Sequence, residues 1–390
     1  NRTTGRAVTD RDKTPIKAVK EFTPKDSNGE VEVEFFFDAA GLAGADVVVY
    51  EELYLQDKKL AEHKDINDSG QTIHFPRIGT RAVSQNTNSE IAGADEEMVI
   101  VDTVSYENLR VGRKYKVTGT LMDKKTGREV LDEKGSKVEA ETEFTAERAN
   151  GTVDVTFRFP GRNLAGKTLV AFESLERDGR EYAVHHDITD EPQTVYVPKI
   201  GTSVRDNDTG SHIARADSEV TLVDEVRYEN LVPHKEYVLK GTLIDRKTGK
   251  AAADAKGASI EAQVSFTPEE KDGSTEVVFR FDGRNLAGET LVVYEEMLYG
   301  GKRIAEHKED DDEKQTIYFP SIETEASDQD TQERMSFAGQ KVILEDVVHY
   351  KNLLPGKKYT ISGILMDQET GGPILDAKGK EITAEKEFTA

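Results

Sequence analysis

The amino-acid sequence predicts an all-β protein made of tandem two-sheet sandwich repeats. Three observations carry that prediction. Landmark residues recur at a fixed 122-residue step, apolar side chains alternate with a period of two inside each recurrence, and no long segment shows a 3.6-residue apolar period.

The recurrence is read from QTIHFPRIGT at 71–80, QTVYVPKIGT at 193–202 and QTIYFPSIET at 315–324. The same step links Gly5, Gly127, Gly249 and Gly371, each preceded by Thr, and Phe22, Phe144, Phe266 and Phe388, each followed by Thr. Regularity of this kind is expected of a stalk. Pro76, Pro198 and Pro320 mark the frame. Complete repeats then run over residues 77–198 and 199–320. Residues 1–76 read as the C-terminal part of one repeat and residues 321–390 as the N-terminal part of another.

Within a repeat, Val153, Val155, Phe157 and Phe159 alternate with polar residues. Val277, Phe279 and Phe281 repeat this pattern, as do Val31, Val33, Phe35 and Phe37. Each run predicts a strand with one buried face. Lys-Thr-Gly at 125–127 and 247–249 predicts a hairpin turn. Many short strands in 122 residues indicate an immunoglobulin-like β-sandwich.

The chain carries 75 Asp and Glu against 52 Lys and Arg, for a net charge of −23. Such a surface repels nucleic acid and anionic lipid. No apolar run approaches the ~20 residues of a membrane span. The chain has no cysteine, so another device must do what a disulfide does in many small secreted domains.

Gly161-Arg-Asn-Leu-Ala-Gly166-Lys167-Thr168 matches a phosphate-loop pattern, but the next residues, Leu169-Val170-Ala171-Phe172, predict a strand where a phosphate loop needs a helix. The Lys is Glu289 in the next copy and Ala45 in the first. A turn is the expected role. Asp206-Asn207-Asp208-Thr209-Gly210 and Asp310–Asp312 are acidic loops without the flanking helices of a calcium hand. No metal and no cofactor is implied.

One constellation recurs at every junction. His63, Asp68 and Gln71 become His185, Asp190 and Gln193, then His307, Asp312 and Gln315. Upstream stand Glu51, Glu173 and Glu295, each ending an apolar run in which a carboxyl is costly to bury without a partner. After each Gln, at the start of the next repeat, stands Thr80, Thr202 or Thr324. The residues between His and Asp change while the constellation holds its spacing.

These motifs resemble the VaFE, or T-Q ester-bond, repeats of Gram-positive surface-anchored adhesins, and the resemblance covers essentially the whole chain. It implies an extracellular, cell-wall location and an autocatalytic ester between a first-strand Thr hydroxyl and a last-strand Gln carboxamide, with loss of ammonia. Carried over, Thr80 joins Gln193 and Thr202 joins Gln315. The auxiliary residues become Glu173, His185 and Asp190, and Glu295, His307 and Asp312. The site residues Glu51, His63, Asp68, Gln71 and Thr324 lie in the partial repeats and lack an in-repeat partner. A Thr324-to-Gln71 bond between two copies is the expected minor product.

The chemistry follows from the residue types. His185 would accept the Thr80 proton. Glu173 and Asp190, as close buried carboxyls, would share a proton and donate it to the Gln193 carbonyl. The fold supplies proximity, which is worth ~7–11 kcal/mol. The reaction runs once, without turnover.

The leading expectation is therefore a stalk segment, with any host ligand bound by another part of the protein. The alternatives are a host-protein or glycan binding module and a hydrolase using the Glu/Asp/His set. Binding hot spots favour Trp, which this sequence lacks. Three evenly spaced copies of one active site would be unusual for a hydrolase.

Overall fold

The structure, a computed structural model, describes residues 1–339 and 341–390. It comprises two compact units: Asn1–Lys199 with Asn230–Val232, and Ile200–Glu229 with Pro233–Ala390.

In the first unit, one antiparallel sheet has the order Gly151–Phe159, Met98–Glu107, Arg77–Ser84. The facing sheet runs Arg180–His185, Thr168–Arg177, Lys114–Asp123, Arg128–Glu129. Two further strands join it: Thr194–Tyr196 pairs with Thr168–Arg177, and Glu139–Thr145 pairs with Lys114–Asp123. The inward residues of both sheets form one core. Ile100, Val104, Val155 and Phe157 come from one side, and Val117, Leu121, Leu169 and Leu175 from the other. Full burial of each such side chain contributes about 1.5–3 kcal/mol. The alternation predicted for Val153–Phe159 is thus a strand whose inner positions Val155, Phe157 and Phe159 are buried.

The second unit repeats the plan. Its small sheet orders Lys199–Asp206, Val220–Glu229, Gly273–Phe281. Its large sheet centres on Tyr237–Asp245 and Thr290–Tyr299, with Lys302–His307 and Thr316–Tyr318 beside the latter.

The predicted turns form where expected. Asp123 Oδ1 accepts from Lys125 N and Thr126 N, and Gly127 takes a left-handed φ of 65°. Asp245 and Gly249 do the same one repeat later. Asp206 Oδ1 accepts from Thr209 N, so this acidic loop uses its first carboxylate to close its own turn. Residues 162–164 form a single 3-10 turn and Thr168–Arg177 is a strand, so the phosphate-loop pattern has no helix after it. Among the described residues no helix is long and apolar enough to cross a membrane.

Residues 1–76 and 321–390 differ. The strand predicted over Val31–Phe37 does not form; these residues are irregular, and Val31, Val33 and Phe37 are exposed. The reason is the missing partner. In a complete repeat the matching strand pairs with the second strand, as Val153 does with Val104, and that strand has no counterpart in residues 1–76. An apolar alternation without a neighbour cannot satisfy its backbone. What remains in residues 1–76 is the pair Glu51–Leu55 with Lys58–His63, exposed throughout, and the short pair Asp46–Val48 with Thr72–His74. Residues 321–390 hold two hairpin pairs, Ser321–Asp328 with Leu344–Lys351 and Lys358–Ile364 with Thr383–Thr389.

Candidate cross-linking site

Each complete repeat brings its first and last elements together at one buried point. Thr80 lies on the first strand, with Val104 as its register partner. Gln193 ends the 3-10 turn Glu191–Gln193 that leads into the last strand. Glu173 sits mid-strand on Thr168–Arg177, between Gly119 on one side and His185 on the other. Glu173 and Gln193 have no solvent exposure. Gln193 Nε2 donates to Glu173 Oε2 at 2.8 Å.

The carboxyl that faces Glu173 is Asp102, which sequence reasoning missed. Asp102 is fully buried on the second strand, opposite Ala82 of the first. The expected Glu173–Asp190 pair is corrected accordingly. Asp190 is partly exposed, and its Oδ2 instead bonds His185 Nε2 at 2.7 Å. A loop carboxylate keeps its hydration and takes the adjacent imidazole, whereas two strand carboxyls on facing inner positions are forced together. The signal for Asp102 was in the sequence. Ile100, Asp102, Val104 and Tyr106 occupy alternate positions of one strand, so the acid stands in an apolar inward row.

Burial pushes the Glu173 carboxyl far above the usual range, and the neighbouring Asp102 charge adds to the effect. Burial also raises Asp102, against the opposing pull of Glu173, Thr80 and the backbone N–H of Arg81. Two such groups, forced together in a dry core, oppose each other's ionisation. The Thr80 hydroxyl lies beside both carboxyls. Thr80 Oγ1, both Asp102 oxygens, Glu173 Oε1 and Gln193 Oε1 are nevertheless buried without a hydrogen bond of regular geometry. Unsatisfied buried polar atoms are rare, and here they converge from four residues on one spot.

The second unit builds the same site from Thr202, Asp224, Glu295 and Gln315, all buried. Here Gln315 Nε2 donates to Thr202 Oγ1 at 2.9 Å and to Val293 O at 2.8 Å. Asp224 and Glu295 are both raised, first by burial, and all four of their carboxylate oxygens are buried without a hydrogen bond of regular geometry. His307 Nε2 bonds Asp312 Oδ2 at 3.1 Å. A Cβ on Gly241 would lie 2.3 Å from Glu295 Oε1 and 2.4 Å from the Phe279 ring, so this position admits no side chain without displacing the acid.

Residues 1–76 and 321–390 hold the same groups in a wetter setting. His63 bonds Asp68 at 2.9 Å and Gln71 Nε2 donates to Glu51 at 2.6 Å, but Glu51 and His63 are exposed. Thr324 is exposed on Ser321–Asp328, opposite Val348.

The T-Q ester bond containing domain family matches residues 2–75, 76–197, 198–319 and 320–390. No curated protein matches the chain. Among solved structures, an adhesin from Mobiluncus mulieris containing disulfide, isopeptide and ester cross-links is 13% identical, over 70% of this chain and 93% of its own, with a TM-score of 0.26. The AgI/II polypeptide BspA C-terminal domain of Streptococcus agalactiae is 10% identical, over 60% of this chain and 98% of its own, with a TM-score of 0.28. A putative β-galactosidase from Bacteroides fragilis is 10% identical, over 58% of this chain and 34% of its own, with a TM-score of 0.22. Overlap this low carries no argument about architecture or role.

Proposed function

Because this chain belongs to the T-Q ester bond containing domain family, we propose that its two complete repeats cross-link themselves, Thr80 to Gln193 and Thr202 to Gln315, and serve as a structural segment of a bacterial surface adhesin. The observation that carries the reading is the meeting of a buried hydroxyl and a buried carboxamide 113 residues apart in sequence, Gln315 Nε2 lying 2.9 Å from Thr202 Oγ1.

The reaction balances with the groups present. The Thr80 Oγ1–H bond breaks and its proton passes to ionised Asp102, while Oγ1 attacks Gln193 Cδ. The tetrahedral centre collapses as protonated Glu173 gives its proton to Nε2, which leaves as ammonia. Asp102 ends protonated and Glu173 ionised, so the pair still holds one proton. We assign the base step to Asp102, which faces the hydroxyl, and not to His185, whose Nε2 is engaged by Asp190. Glu173 is assigned to the leaving nitrogen, which it already contacts, and not to the carbonyl oxygen. The His185–Asp190 bond, together with the Thr194 Oγ1 donation to Asp190 O at 2.8 Å, holds the turn that presents Gln193. Burial then keeps water from the ester.

A covalent tie between first and last strands sends tension through a bond instead of through a sheet edge, which suits a stalk without cysteine. Proteolysis followed by mass spectrometry tests the reading. Thr80 and Gln193 are expected in one branched peptide, and Thr202 and Gln315 in another. Recovery of four linear peptides would overturn it.

A further inference from the structure

Both buried glutamates have a glycine as their neighbour in the sheet. Gly119 is the register partner of Glu173, and Gly241 that of Glu295. Glycine weakens a strand interior and often marks a close approach to the backbone. Neither glycine takes a left-handed φ, so the backbone itself does not demand one here. Space is the remaining reason.

That space is filled from the opposite sheet. A Cβ on Gly119 would lie 2.6 Å from Phe157 Cζ and 3.2 Å from Val155 Cγ1. At Gly241, Phe279 Cζ and Glu295 Oε1 crowd the same point, so the ring tip and the acid oxygen share one methyl-sized gap. Phe157 and Phe279 have no solvent exposure. The strand that carries each ring also flanks the other carboxyl, since Val155 is the register partner of Asp102 and Val277 that of Asp224. A ring tip carries the positive edge of the aromatic quadrupole, so it excludes water without repelling a charge that forms on the acid.

Two contrasts lie in the same chain. Gly363, the third glycine on the 122-residue step, has open space at its Cβ position, so the strand alone does not fill the gap. Residues 1–76 contain the matching phenylalanine and acid, but Phe35 lies in irregular chain and Glu51 is exposed.

We infer that Gly119 with Phe157, and Gly241 with Phe279, are positioning residues of the cross-linking reaction: the glycine leaves a gap, and the ring tip fills it as a dry wall that holds the glutamate against the carboxamide. The ionisable groups facing Glu173 are Asp102 across the sandwich and His185 along the sheet, the latter bonded to Asp190. The wall adds burial to their effect.

The inference rests on the proposed esters, and one arm of its test does without them. Linear full chain in denaturant is refolded by dilution between pH 5 and pH 9 and sampled in time by digestion and mass spectrometry. Gly119→Ala is expected to slow the Thr80–Gln193 bond on the order of a hundredfold, the effect of a small misplacement of reacting groups, while Thr202–Gln315 forms at the parental rate. Phe157→Leu opens the gap to water, which favours ionised Glu173, so its reaction is expected to fail at a lower pH than the parent's. Gly119→Ala combined with Phe157→Leu puts a methyl where the ring stood and is expected to recover both rate and pH limit. A parental rate in Gly119→Ala, a parental pH limit in Phe157→Leu, or a double variant no faster than Gly119→Ala would each overturn the inference. If Gly119→Ala does not fold, the pH limit of Phe157→Leu decides. A parent that forms neither bond would sink the ester reading instead. The wall is then read in Thr80→Ala, where Phe157→Leu is expected to flatten the fall of the denaturant midpoint between pH 5 and pH 9, and an unchanged slope would overturn the inference.

Discussion

Asp102→Asn and Glu173→Gln are each expected to suppress the Thr80–Gln193 bond while leaving Thr202–Gln315 formed. Each substitution removes a proton donor or acceptor at the reacting atoms, a change worth about 10²–10⁴-fold in rate. Neither removes a bonding partner. The second repeat serves as an internal control in the same chain. Denaturing mass spectrometry of freshly purified and long-incubated protein reads the effect. A variant at Asp102 that cross-links at the parental rate would show that the carboxyl pair does not carry protons.

The same pair makes the uncross-linked repeat sensitive to pH. Glu173 is pushed up to about 11 from 4.5, so the folded state holds a proton that the unfolded state releases. Its contribution to stability is therefore fully present below about pH 4.5 and is lost as pH rises toward the folded value. In a Thr80→Ala background, denaturant midpoints are expected to fall between pH 5 and pH 9, and Glu173→Gln should flatten that slope.

The largest effect on stability is expected from Thr80→Ala itself. The bond closes a loop of more than 110 residues, for which the chain-entropy estimate is about 4–5 kcal/mol. For a domain of this size that corresponds to a loss of roughly 10–20 °C in the melting of one repeat. Calorimetry should show one transition moved and the other unmoved, and Thr202→Ala should move the complementary one. Matching melting curves for Thr80→Ala and the parent would mean that the cross-link does not stabilise the repeat.

Much of this was legible in the sequence. The 122-residue step, the inward rows of Val155, Phe157 and Phe159, and the His–Asp–Gln constellation all translate into strands, turns and a converging site. Asp102 was equally readable, as an acid in an apolar inward row, but its spacing to Glu173 along the chain gives no hint that they face each other. Only the packing of one sheet on the other does that. Val31–Phe37 shows the reverse case. The alternation is plain, yet a strand needs a neighbour, and the neighbour's sequence is absent from residues 1–76.

In the proposed cross-links two hydroxyls have displaced two carboxamide nitrogens. The intact mass of the denatured chain measures this with no substitution. The expected mass lies below that of the 390-residue sequence by two molecules of ammonia, one for the Thr80–Gln193 ester and one for the Thr202–Gln315 ester. A mass equal to that of the unmodified sequence would contradict it.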